Sequence, residues 1–328
     1  MLDGMTELER LLPSRGIAGG HVEPVSDPPR RVSAQNLTRR VGIEITFAGV
    51  APEDAAETVA ASTNGLSLRT AEDRFRVEGG LLDAIELRIG EAETLRPHGT
   101  SLHECDVVPI IELVTDPVPY TRLQQFNLAV DALRRAGARN TAAYGLAAYG
   151  THLNVEIADE DVTWLTRVMK SYALAERWLR QQLLPIGTRR VMSRILPWPS
   201  DYVELLLAPE YWPSLGRLID DYVAHSPTCY RDLDLLPLFA YLDPDRISAA
   251  DLGIDILARQ AFHFRLPDTR IADEGWSPVV PWNLWVRVEQ LADDTVRFER
   301  LSDCWRRHWD GDEPAWRWPE IFADALLQ

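Results

Sequence analysis

Glu44 and Thr46 alternate with Ile43, Ile45 and Phe47, and the same two-residue period recurs in four further segments. Glu86 and Arg88 alternate with Ile85, Leu87 and Ile89. Ile110, Glu112 and Val114 alternate with Ile111 and Leu113. His152, Asn154 and Glu156 oppose Leu153, Val155 and Ile157, and His263 and Arg265 oppose Phe262, Phe264 and Leu266. Side chains alternate across a strand, so each set occupies one face. Any antiparallel sheet with one wet side shows such a pattern. The residue types point further, because a merely solvated face favours Thr, Lys, Ser and Gln, whereas these positions concentrate carboxylate, imidazole and guanidinium. Hard divalent ions take carboxylate oxygens and tolerate some imidazole, and Arg adds bidentate contacts to phosphoryl oxygens.

The elements that must hold these groups can be read from periodicity. Strands are expected at 42–47, 74–78, 84–89, 107–114, 151–157 and 261–266. Helices are expected at 52–62, opened by Pro52, at 120–136, stopped by Gly137, at 160–184, ended by Pro185, and at 213–224 and 281–292. Pro, Trp and Arg dominate 186–209, which reads as a loop-rich segment. Residues 1–40 hold several Pro and Gly without an apolar period and read as a mobile arm. A domain over 41–310 and a Trp-rich tail over 311–328, packed on that domain, complete the chain. Strands early and long helices later predict an α+β fold: a curved, mainly antiparallel sheet of about six strands, helices on one face and an open cleft on the other.

Composition narrows the chemistry. The 328 residues are 46% hydrophobic and 26% charged, enough for one sizeable core. No apolar run reaches the length of a membrane span and none near the start resembles a signal sequence, so cytoplasmic residence is the default expectation and no membrane partner is expected. The net charge of −16 argues against nucleic acid as a partner and leaves small molecules. Composition sets no oligomeric state. Three scattered cysteines, Cys105, Cys229 and Cys304, form neither a disulfide framework nor a CxxC knuckle. Lys170 is the only lysine, and no GxxxxGK[ST] occurs, so Schiff-base and phosphate-loop mechanisms lack their residue.

The segments Gly42-Ile43-Glu44-Ile45-Thr46-Phe47, Glu112-Leu113-Val114-Thr115-Asp116-Pro117, Gly150-Thr151-His152-Leu153-Asn154-Val155 and Phe262-His263-Phe264-Arg265-Leu266-Pro267, with 226–239 between the last two, resemble the ordered motifs of the amidoligase family. That family is related to glutamine synthetase and glutamate-cysteine ligase, and the resemblance spans about residues 41–295. It implies a glutamine synthetase-like catalytic sheet and ATP-dependent amide formation from a small carboxylate and an amine, through an acyl phosphate, with Mg2+ or Mn2+. Such chemistry is positioning and charge neutralisation, so no nucleophilic Ser or Cys is expected. By the same resemblance Glu44 and His152 would hold the metal near the γ-phosphate, with Arg265 on that phosphate, and Glu112 would serve a second metal. Arg231 and Arg190 are further candidates for the nucleotide.

Two positions depart from the family pattern. Thr46 stands where relatives carry a second Glu, and His263 stands two residues before Arg265 where relatives often carry Glu. His263 is still a potential ligand and moves the preference toward manganese or zinc. Glu86, Asp106 or Glu156 could replace the missing carboxylate. A lapsed relative that binds nucleotide or peptide as a scaffold or sensor is the alternative reading, and a metal hydrolase built on Glu44, His152 and His263 is a third. His98, His103 and Cys105 are a weaker zinc-type grouping. Arg189, Arg190 and Arg194 could meet an anion or simply be solvated. Trp276, Trp282, Trp285, Trp305, Trp309, Trp316 and Trp318 are expected to pack.

Overall fold

A computed structural model describes residues 23–90, 110–141, 150–184, 195–309, 311 and 314–327. The fold is α+β, with one antiparallel sheet of nine strands among the described residues. The strands are β1 (Arg40–Ala48), β2 (Leu66–Ala71), β3 (Arg74–Glu78), β4 (Ile85–Ile89), β5 (Ile110–Thr115), β6 (Val118–Pro119), β7 (Thr151–Glu156), β8 (Leu233–Asp234) and β9 (Ala261–Phe264). Their order is β2-β3-β4-β5-β1-β7-β9-β8, with β6 beside the start of β1. The expected count of about six is therefore corrected. β2 is an edge strand exposed along its length, and β6 and β8 have two residues each, so none carries a readable apolar period.

β1 lies in the middle because its inward set, Val41, Ile43, Ile45 and Phe47, is buried and the chain returns to it on both sides. Ile111 and Leu113 of β5 and Leu153 and Val155 of β7 extend the same apolar surface. Helices cover it. Pro52–Thr63 starts on a proline, buries Ala55, Ala56, Val59 and Ala60, and stops where Asn64 turns left-handed. Val162–Leu183 is capped by the Asp161 carboxylate, which accepts from the Trp164 amide, and packs against Val279–Asp293. Trp285, from that second helix, lies 5.3 Å from Phe262 and 5.4 Å from Phe264, joining the helical layer to β9.

Other boundaries differ from the expected ones. The 120–136 element is a 3-10 turn, Tyr120–Gln125, that becomes an α-helix at Phe126–Arg135. The loop-rich reading of 186–209 is corrected by a helix at Ser200–Leu207. Residues 295–309 and 318–327 also form helices, and Trp318 donates its indole N–H to the Leu174 carbonyl at 2.8 Å. Trp276, Trp282, Trp285, Trp305 and Trp318 are buried, whereas Trp316 is 68% exposed.

Residues 1–22 of the expected arm lie outside the described residues. Residues 23–40 lie against the helices: the Trp282 indole donates to the Ser26 carbonyl at 2.9 Å, and the Tyr120 hydroxyl to Asp27 at 2.7 Å. Arg39 is fully buried. Its guanidinium donates to both Glu289 oxygens at 2.6 and 2.7 Å and to the carbonyls of Glu156 and Arg30, so the buried charge is paired and hydrogen-bonded throughout. Lys170 is buried too, with Nζ 3.1 Å from the Ala208 carbonyl and 4.3 Å from the Trp212 ring centre. No described helix is long and apolar enough to cross a membrane.

Candidate active site

Strand register builds the site. Glu44 pairs with His152 across β1 and β7, Asn154 pairs with Gly42 on one side and His263 on the other, and His263 pairs with Asp234 of β8. Directly paired residues share a face, so Glu44, His152, Asn154, His263 and Asp234 form one polar patch on the side away from the apolar core. Ile43, Ile45, Leu153, Val155, Phe262 and Phe264 anchor the same strands from beneath.

Within the patch His152 Nδ1 lies 3.0 Å from Glu44 Oε2, and Asn154 Nδ2 donates to Glu44 Oε1 at 2.9 Å. The two imidazole rings meet edge to face with centroids 5.3 Å apart. One ligand atom from each of Glu44, His152 and His263 can lie within 4.8 Å of the others, the spacing of a metal-binding group. His152 Nε2 and both His263 nitrogens are buried without a hydrogen-bond partner. Buried polar atoms are normally satisfied, so these donors fit a ligand that supplies the missing contact. Asp234 Oδ2 lies 3.6 Å from His263 Nδ1, an ion-pair distance too long for a hydrogen bond.

Arg259 completes the patch and was not among the expected residues. Its Nη1 donates to Glu44 Oε1 at 2.9 Å and to Asn154 Oδ1 at 2.6 Å. It sits in a non-periodic stretch before β9, so the sequence carries no signal for it. Asp234, on a two-residue strand, is hidden for the same reason. Burial pushes the Glu44 carboxyl up, but the His152 hydrogen bond and the charges of His152, His263 and Arg259 outweigh it and hold the group well below the usual carboxylate range. Burial pulls His263 down, and Asp234 only partly offsets this.

The remaining expected residues distribute unevenly. Glu112 is opposite Thr46 on the same face but pairs with Arg88, whose Nε donates to it at 2.6 Å, and it is outside the Glu44 cluster. Glu86 faces Arg74 at 3.8 Å, Glu156 accepts from the Arg40 amide at 2.7 Å, and neither belongs to the cluster of Glu44, His152 and His263. Arg265 follows β9, with its amide bonded to the Asp232 carbonyl, one guanidinium nitrogen donating to the Cys229 carbonyl, and a buried, unpartnered Nε. Arg231 donates to the Pro197 and His225 carbonyls and so ties two loops together. Beneath Arg265, Asp232 is fully buried beside Arg180 at 2.7 Å, and burial together with Glu176 pushes its carboxyl up to about 7 despite Arg180. Arg189, Arg190, Arg194, His98, His103, Cys105 and Asp106 lie outside the described residues.

No curated protein and no solved structure matches the chain. The model of the family described as "Putative amidoligase enzyme" matches residues 37–287, a span that includes every strand of the sheet and the Glu44–His152–His263 patch. By that match the chain belongs to the amidoligase family.

Proposed function

We propose that the protein joins a small carboxylate to an amine in a reaction that converts ATP to ADP and phosphate. The observation that carries this reading is the cluster of Glu44, His152 and His263, with unsatisfied imidazole nitrogens, on the polar face of the sheet that the family match spans. The open antiparallel sheet is consistent with a glutamine synthetase-like catalytic sheet.

In this mechanism a substrate carboxylate oxygen attacks the γ-phosphorus, ADP leaves, and an acyl phosphate forms. The amine nitrogen then attacks the acyl carbon, phosphate departs, and the nitrogen loses a proton. A divalent ion would neutralise phosphate charge when bound. His152 and His263 would hold it, with Glu44 adjacent. Arg265 would bind the transferring phosphoryl group through the guanidinium nitrogens that the Cys229 carbonyl leaves open. The carbonyls of Cys229 and Asp232 orient that side chain and its backbone before substrate arrives.

The test is ADP release from full-length protein offered a panel of amino acids and dipeptides, with hydroxylamine as the amine. Activated carboxylate is trapped as a hydroxamate, and both ADP and hydroxamate are expected only when carboxylate, amine and ATP are all present. ATP binding without turnover across the panel favours the lapsed relative, a reading supported by the Arg259 contact that already neutralises Glu44. Hydrolysis of a substrate independently of ATP favours the metal hydrolase. Either outcome removes the ligase reading.

A further inference from the structure

Glu44 is the only carboxylate of the metal-type cluster, yet it is already engaged at both oxygens. Oε1 accepts from Asn154 and from Arg259, each at 2.9 Å, and Oε2 lies 3.0 Å from His152 Nδ1. A carboxylate offers about four lone-pair directions. Three are therefore engaged, and a guanidinium already cancels the charge. A divalent cation at the same oxygens would meet Arg259 as a like charge in a partly buried site, where such repulsion is weakly screened. The unengaged atoms lie elsewhere: His152 Nε2 and the nitrogens of His263.

The Glu44–His152 contact is the arrangement in which a carboxylate fixes one imidazole nitrogen and directs the other at a metal. Asp234 stands near His263 in a looser version of that relation. Asn154 closes the lock, since its amide nitrogen donates to Glu44 while its oxygen accepts from Arg259.

We propose that Arg259 is a specificity-determining residue: by holding Glu44 outside the coordination sphere it leaves a two-imidazole site, His152 and His263, that takes Zn2+ in preference to Mg2+. The inference rests on the proposed function only in placing a metal at this cluster. Imidazole suits zinc and its neighbours, whereas Mg2+ demands oxygen ligands. Water or substrate oxygens complete the sphere. Releasing Glu44 from Arg259 returns an anionic oxygen ligand and with it affinity for Mg2+.

The experiment is metal titration of full-length protein with Zn2+, by chelator competition, and with Mg2+, by calorimetry. Wild type is compared with Arg259→Met, Arg259→Lys, Glu44→Gln and His152→Ala, with circular dichroism as the check on folding. Glu44→Gln should weaken Zn2+ about tenfold, the low end of what an orienting partner contributes, and His152→Ala by more than about 100-fold. Arg259→Met should tighten Mg2+ by at least about tenfold, while Arg259→Lys, which keeps a cation beside Glu44, should not. Equal Zn2+ losses in Glu44→Gln and His152→Ala would overturn the proposal, as would unchanged or weaker Mg2+ binding in a folded Arg259→Met. Should Arg259→Met not fold, the Glu44→Gln and His152→Ala comparison decides alone. None of these readouts needs turnover, so the ligase assay and the metal titrations can fail independently.

Discussion

Arg259 and Glu44, 215 residues apart in sequence, meet on the polar face of the sheet with Nη1 2.9 Å from Oε1. The contact places a fixed cation beside the carboxylate that the family resemblance would assign to a metal. It makes the charge of the site a property of β1, β7 and the segment before β9 together.

In the proposed ligase reaction, where Arg265 would meet the transferring phosphoryl group, Arg265→Lys should lower kcat by about 10²–10³-fold with little change in KM for ATP, because a point charge would replace a fork at the developing charge. Steady-state kinetics on the amide-forming reaction checks this. A rise in KM with kcat preserved would reassign Arg265 to ground-state binding.

Arg39→Ala should destabilise the fold by about 3–5 kcal/mol, because Glu289 is left buried without its partner. Urea denaturation measures the loss. Replacing both partners, Arg39→Met with Glu289→Leu, should recover most of it, since no unpaired charge remains. A double variant as unstable as the single one would mean that the carbonyls of Glu156 and Arg30, not Glu289, dominate.

Gly150→Ala should cost about 1–3 kcal/mol, the range for overpacking. A Cβ at Gly150 would overlap the Pro267 carbonyl oxygen, which accepts from the Thr151 amide at 2.9 Å. That contact joins the start of β7 to the chain just after β9, so the same variant should also lower activity through His152 and His263. Wild-type melting and turnover in Gly150→Ala would show that the two segments can separate freely.

Burial pushes the Asp268 carboxyl up to about 6, with Arg270 opposing only in part. The folded protein therefore holds this proton more tightly than the unfolded chain, whose reference value is 3.8. The contribution is fully present below that reference and is lost as pH rises through about 6, because the folded state binds more protons across the window. Asp268→Asn should remove this part of the pH dependence and raise stability at pH 7 by about 1–3 kcal/mol. Denaturation curves at pH 4 and pH 7 check it, and an Asn variant with the wild-type difference between those pH values would contradict the assignment.

The apolar alternation of β1, β5, β7 and β9 was legible because each strand buries one face on helices and must repeat every second residue. That placed Glu44, Glu112, His152 and His263 on one side of their strands. β2, β6 and β8 were not legible, since an exposed edge strand and two-residue strands have no face to bury. The helix at Ser200–Leu207 was masked by the Pro and Trp around it.

The sequence by itself determined the α+β class and the polar face of each central strand, because these are local and follow from spacing, and its ordered motifs carried the resemblance to amidoligases. Only the tertiary structure decided which polar residues meet. Register put Glu44 opposite His152 and left Glu112 with Arg88, and a non-periodic segment delivered Arg259 to Glu44. Pairing between strands and the path of a loop depend on contacts distant in sequence, which no local pattern encodes.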